Sequence, residues 1–184
     1  MIANVVTSLR IVLLAPLYVL LTGGEGDASR WWALAVFLAA GFTDVVDGFL
    51  ARRFNQVSVF GAMLDLIADR LLTAVTLVAL MAGGVLADWT VLPALVLIVR
   101  DLVVASLNEA LPGRLSIRVS MLERVKIACH FLAIGLLLAP AFFSLRGLGQ
   151  HDLGRLLLAL AATLAVVTLA DYVGRAILAF RDTA

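Results

Sequence analysis

The chain has 184 residues, 63% of them hydrophobic, and a mean hydropathy of +1.08. A soluble domain carries roughly 45–50% apolar residues, and a chain this short cannot enclose the excess in one core, so the composition reads as that of an integral membrane protein. The formal net charge of +1, with no basic run interleaved with aromatics, speaks against a nucleic-acid partner. The single Cys129 rules out an internal disulfide and matches no thiol or metal motif, which leaves it as a small apolar residue of a span.

Taken in order, the apolar segments and the turn or charge clusters between them predict six helices, over about 4–22, 31–53, 61–82, 88–110, 119–142 and 153–180. Met1–Leu21 is read as a retained first span and not a signal peptide. Its only early positive charge, Arg10, lies within the apolar stretch, and Thr22–Gly26 reads as a loop with no cleavage site. Gly83-Gly84 reads as a tight turn and Ser144–Asp152 as a loop. No linker, low-complexity tract or repeat divides the chain, so a single all-α transmembrane domain over 1–184 is expected.

Basic residues orient this bundle. Arg52, Arg53, Arg114, Arg118, Arg124, Lys126, Arg175 and Arg181 fall at one set of helix ends, and Arg30, Arg146 and Arg155 at the other. The richer side is expected to be cytoplasmic, which puts both termini there and makes the protein a multi-pass component of the cell's inner, cytoplasmic membrane. Trp31, Trp32 and Trp89 at span ends fit an aromatic belt. Asp171 and Arg175, four apart, fit a helical ion pair, and His130 within the fifth span fits a hydrogen-bonded core residue.

The second and third helices carry four carboxylates. Asp44 and Asp47 are three apart near the end of one helix, and Asp65 and Asp69 four apart near the start of the next. These spacings put each pair on one helical face, so two antiparallel helices can turn both pairs toward one site. An unpaired carboxylate in an apolar surround costs roughly 2.5–3.5 kcal/mol even on an insertion scale, so positive charge must sit among them. Arg52 or Arg53 can supply part of it, but four carboxylates balance two divalent cations. All-oxygen ligation suits Mg²⁺ or Mn²⁺, and paired metals are a recurring device for displacement at phosphorus. A structural salt-bridge cluster and an ion-translocation path are the alternatives. The second favours acids near the bilayer middle, whereas these flank a cytoplasmic turn. Gly48, Gly61 and Ala51 alternate with the acids and Arg52 and leave room for a ligand to approach the backbone.

The pattern Asp44-x2-Asp47-Gly48-x2-Ala51-Arg52-x8-Gly61-x3-Asp65-x3-Asp69 resembles the full signature of the CDP-alcohol phosphotransferase family. At one chance in about 15 per position, eight such matches arise on the order of once in 10⁹ windows. The resemblance implies a dimeric six-helix membrane enzyme that moves a phosphoalcohol group from a CDP-linked donor to an alcohol and releases CMP. It implies that Asp44, Asp47 and Asp65 ligate two divalent cations, Mg²⁺ or Mn²⁺, and that Asp69 touches one of them and serves as general base. It further implies a CDP pocket formed by Asp44, Gly48, Ala51, Arg52 and Gly61, with Arg52 near the diphosphate.

Outside the signature, Asn4-x2-Thr7-x2-Arg10-Ile11 resembles the opening of the phosphatidylglycerophosphate synthase and cardiolipin synthase branches, as does Gly61–Arg70. Leu66 and Arg70 replace the Pro and Lys usual there. Arg100–Glu109 resembles the phosphatidylglycerophosphate synthase branch, although an Arg100-Asp101 pair is commoner in the cardiolipin one. Ser120–Lys126 is similar to a segment of both, with Glu123 where Gly is usual, followed by Ile127 where Thr is usual. This resemblance implies CDP-diacylglycerol as donor, membrane lipids as surroundings and sn-glycerol 3-phosphate as acceptor. The alternatives are phosphatidylglycerol, as in a cardiolipin synthase, then an inositol phosphate, and, from another class, metal-ion transport. A small dianion needs cations beside the metals, and Arg114, Arg118, Arg124 and Lys126 are the candidates, with Arg118 and Lys126 foremost. Some of the four serve topology and lipid headgroups instead. Arg10 and Arg100 are expected to pair with acids such as Asp101.

Overall fold

The computed structural model describes residues 2–24, 26–53, 59–110, 121–142, 144–145 and 148–181. Within these it describes the side chains of 7–24, 26–43, 61, 63–110, 121–142 and 148–178. Among the described residues there are six α-helices: α1 (Ile2–Thr22), α2 (Gly26–Arg53), α3 (Val59–Ala82), α4 (Val91–Ala110), α5 (Met121–Leu138) and α6 (Gln150–Arg181). A 3₁₀ turn, Asp88–Thr90, leads into α4.

The helices match the expected segments, and the differences at their ends have local causes. Where a loop was expected up to residue 30, α2 begins at Gly26. Asp27 lies in its first turn, where a negative charge favours the helix dipole, and the Ser29 hydroxyl donates to the Gly26 carbonyl at 2.9 Å. α5 stops at Leu138 instead of 142, since Pro140 disfavours helical backbone in the residue before it. The expected loop 144–152 contains a minimal antiparallel ladder, β1 (Ser144–Leu145) with β2 (Leu148–Gly149), before α6 starts at Gln150.

The chain forms two compact units. In the first, residues 1–86 with 137–142, α1 packs against both α2 and α3. Each helix contributes a stripe at helical spacing: Thr7, Arg10, Leu14 and Leu17 on α1; Ala33, Phe37 and Ala40 on α2; Ala68, Leu72, Thr76 and Ala79 on α3. All of these are buried. Two contacts set the direction of α3 along α1. Arg10 meets Asp65 near their starts, and a Cβ on Gly83, just past α3, would lie 2.5 Å from the Leu21 carbonyl near the end of α1. Glycine is therefore required where the two backbones close on each other. The next residue, Gly84, has φ +73°, and α3 ends in paired bonds from Gly84 N–H to the Met81 carbonyl and from Val85 N–H to the Leu80 carbonyl. This is the Schellman arrangement, which satisfies carbonyls the helix end would otherwise orphan.

In the second unit, residues 87–136 with 143–184, α4 packs on α6. Ala94, Leu97 and Val104 of α4 and Leu158, Ala161, Ala165 and Ala176 of α6 are buried. Asp88–Ala110 and Gln150–Leu178 are long and apolar enough to cross a membrane, each with a window of mean hydropathy 2.1, and only 22% and 28% of those windows are buried. A core helix of a soluble protein hides its apolar face. Here Leu92, Val99 and Leu102 of α4 and Val166, Val167 and Leu178 of α6 point outward, all more than half exposed. Six helices among the described residues, two of them long and apolar enough to cross a membrane, are consistent with an all-α membrane protein.

Candidate functional site

The apolar stripes of the first unit turn polar toward one end. On α1 the stripe Leu17–Leu14 continues to Arg10 and Thr7, 1% and 2% exposed. On α2 the register Ala33, Phe37, Ala40 arrives at positions 44 and 47, four and seven residues beyond Ala40 and still within the helix. On α3 the stripe runs back from Ala68 to position 65. Arg10 of α1 and Asp65 of α3 are brought together at this end, because the two helices run parallel.

Asp65 and Asp69 lie one turn apart in α3, the first half-buried and the second exposed. Arg10 donates from Nη1 to Oδ1 of Asp65 at 3.2 Å, and the side chains of the two are 1% and 48% exposed. Gly61 is half-buried in the first turn of α3. Asp44, Asp47, Gly48, Ala51 and Arg52 occupy the last three turns of α2, and their side chains lie outside the described residues. Arg53 lies with them, ending α2.

Whether these residues suit a divalent metal can be judged on the α3 pair. Both are carboxylates, a hard oxygen set matched to Mg²⁺ or Mn²⁺. Both have carboxyl groups open to solvent, and Asp65 already draws a cation in the form of a guanidinium. In donor type, Asp65 and Asp69 fit the group.

The second unit has its own polar end. Arg100 of α4 donates from Nη1 to Oδ1 of Asp101 at 3.0 Å and from Nη2 to Oε2 of Glu123 on α5 at 2.9 Å. Lys126 Nζ lies 2.9 Å from the other oxygen of Glu123 and 3.9 Å from Asp101. Two cations and two anions thus form one neutral cluster, with the side chains of Arg100, Glu123 and Lys126 11%, 15% and 8% exposed. The expected pairing of Arg100 with Asp101 is present, whereas Arg10 pairs with Asp65. Of the four acceptor candidates, Lys126 is held within this cluster and Arg124 is exposed to solvent, while Arg114 and Arg118 lie outside the described residues. Glu123, which bridges both cations, was visible in the sequence as a carboxylate three residues before Lys126, but its reach across to α4 was not.

The remaining polar residues follow their expected places with one correction. Arg175 and Asp171 pair at 2.6 Å, Trp31, Trp32 and Trp89 are exposed, and Cys129 is half-buried. His130 is buried as expected, but its Nε2 has no hydrogen-bond partner. Tyr172 of α6 donates its hydroxyl to Oδ1 of Asn108 on α4.

Residues 1–170 match the family model described as CDP-alcohol phosphatidyltransferase. Similar proteins include the CDP-diacylglycerol–glycerol-3-phosphate 3-phosphatidyltransferases of three bacteria. The one from Pseudomonas fluorescens is 41% identical, over 77% of this chain and 74% of that protein. The Escherichia coli K12 protein is 38% identical, over 69% and 71%, and the Cereibacter sphaeroides protein 32% identical, over 83% and 70%. With the family match running over nearly its whole length and relatives at 32–41% identity, the chain belongs to the CDP-alcohol phosphatidyltransferase family.

Proposed function

We propose that the protein transfers the phosphatidyl group of CDP-diacylglycerol to sn-glycerol 3-phosphate, yielding phosphatidylglycerol phosphate and CMP. The observation that carries the acceptor is that the relatives at 32–41% identity all bear the name of this activity. Asp44, Asp47, Asp65 and Asp69 would hold two divalent cations, which when bound supply charge stabilisation at the diphosphate. Asp69, the more exposed of the α3 pair, accepts the proton of the acceptor hydroxyl. The acceptor oxygen then bonds to the phosphorus that carries diacylglycerol, and the bond from that phosphorus to the bridging oxygen breaks, its electrons leaving with CMP. Gly48, Ala51, Arg52 and Gly61 accommodate the nucleotide, with Arg52 toward the diphosphate. Arg114, Arg118, Arg124 and Lys126 are the cations available for the acceptor phosphate. Lys126 requires Glu123 to yield for that role, given their 2.9 Å ion pair.

The reading includes six membrane spans with both termini and the acids on the cytoplasmic side, a single transferase domain and a homodimer in the inner membrane. Its support is the Lys/Arg asymmetry and a family match that runs through both compact units. The test is CMP release by purified protein given CDP-diacylglycerol, Mg²⁺ or Mn²⁺, and one acceptor at a time. Product with glycerol 3-phosphate is the expected result, abolished by chelator and restored by either ion. Product only with phosphatidylglycerol or only with an inositol phosphate would replace the acceptor. Ion flux across vesicles with no CMP release would replace the reaction itself.

A further inference from the structure

Asp65 of the signature has a cation beside it. Arg10 lies on the buried stripe of α1, its side chain 1% exposed, and reaches Asp65 at 3.2 Å, while the Asp65 side chain is 48% exposed. The dependence is unequal. A guanidinium out of water needs an anion within reach, whereas a half-exposed carboxylate is solvated without one. A divalent cation that takes Asp65 as a ligand draws on the same carboxylate and sets a second positive centre near a guanidinium that cannot retreat into water. Like charges at such separations repel strongly in a medium of intermediate dielectric.

Resting on the metal role of Asp65 stated above, we propose that Arg10 is a positioning residue that competes with the divalent cation for Asp65 and so sets the metal affinity of the site. In the metal-free protein it neutralises part of the acid cluster and holds the Asp65 carboxyl in place. With metal bound, its charge adds to the positive field that the donor's diphosphate meets. This differs from a purely structural ion pair in the sign of its effect. Loss of a structural pair leaves metal binding unchanged or weakens it, whereas loss of a competitor tightens it.

The experiment is Mn²⁺ binding to the detergent-purified full chain, followed by the electron paramagnetic resonance signal of free Mn²⁺ and by metal-induced thermal stabilisation. Arg10→Met removes the charge at similar volume, Arg10→Gln removes it while keeping a hydrogen-bonding group, and Arg10→Lys retains it. The two neutral variants are expected to half-saturate at about tenfold lower Mn²⁺ than the wild type, because a like charge beside the metal is removed, and the lysine variant close to the wild type. A neutral variant that folds only with Mn²⁺ present supports the competition as well. Unchanged or higher half-saturation in the neutral variants overturns it. So does a lysine variant that behaves like them, or neutral variants that fold in neither condition. If the wild type itself shows no saturable Mn²⁺ binding, the metal role of Asp65 fails first, and that result is distinct from wild-type binding that the variants leave untouched.

Discussion

Asp65 and Asp69 are one helical turn apart on α3, yet their surroundings differ, and the proposed roles differ with them. Asp65 has a guanidinium at 3.2 Å and is half-buried, so its carboxyl is held in place, which suits the proposed metal role. Asp69 is exposed, which suits the proposed role of taking the proton of an incoming hydroxyl. On this division Asp69→Asn keeps the shape of the side chain and removes its basicity. Turnover should fall by about 10²–10⁴-fold, the usual contribution of a general base, while the protein still folds and still binds CDP-diacylglycerol. CMP release and donor binding measured on the same preparation check this, and near-normal turnover would remove Asp69 from the base role. At this scale the sequence was informative where chemistry is local. Spacings of three and four residues paired the acids without any knowledge of the fold. It gave Arg10 an acidic partner but not which one: Asp65 lies 55 residues away, and that contact exists only once α1 packs along α3.

Helices α4 and α5 meet through charge at their polar ends. Glu123 uses one oxygen for Arg100 of α4 and the other for Lys126 of its own helix, both at 2.9 Å. The i,i+3 pair to Lys126 could be read from spacing, but the bond to Arg100 could not, since helix-to-helix register leaves no periodic trace. With Arg100, Glu123 and Lys126 all less than a sixth exposed, removal of the shared anion leaves two poorly hydrated cations dependent on Asp101. Breaking a buried pair from one side costs about 3–5 kcal/mol. Glu123→Ala should therefore lower the thermal midpoint of the detergent-solubilised protein by several degrees, whereas Arg124→Ala, at an exposed neighbour, should leave it nearly unchanged. Equal midpoints for the two variants would show that the cluster contributes no stability. Helix ends followed the same division. The Gly83-Gly84 turn was legible from composition, and it is the site of the Schellman bonds and the close approach to Leu21. The early start of α2 was hidden because Asp27 and Ser29, loop-forming elsewhere, suit a helix's first turn.

Across the whole molecule, the distribution of apolar surface inverts the soluble rule. Leu92, Leu102, Trp32 and Leu178 are 58–68% exposed, while the buried positions include Thr7, Arg10, Arg100 and Lys126. Charge gathered inside and apolar residues turned outward is what lipid surroundings select, and the sequence announced it through hydropathy before any contact was known. The side of the membrane that each helix end faces rests on the Lys/Arg asymmetry alone, so the proposed topology makes a sharp prediction. Cys129 is the only cysteine, and Cys129→Ala gives a chain free of thiols. Into that background Asp27→Cys places a thiol at the start of α2, on the sparsely basic side, and Arg124→Cys places one at the start of α5, on the basic side; both native residues are exposed. A membrane-impermeant maleimide added to intact spheroplasts should label the residue-27 thiol and spare the one at 124, and inverted vesicles should reverse the pattern. Opposite labelling would turn the bundle over, and labelling of both from one side would mean that the number of crossings between α2 and α5 is even. The acids at the end of α2, one helix length from residue 27, follow whichever side residue 27 does not face. The same experiment therefore decides which compartment supplies the water-soluble acceptor.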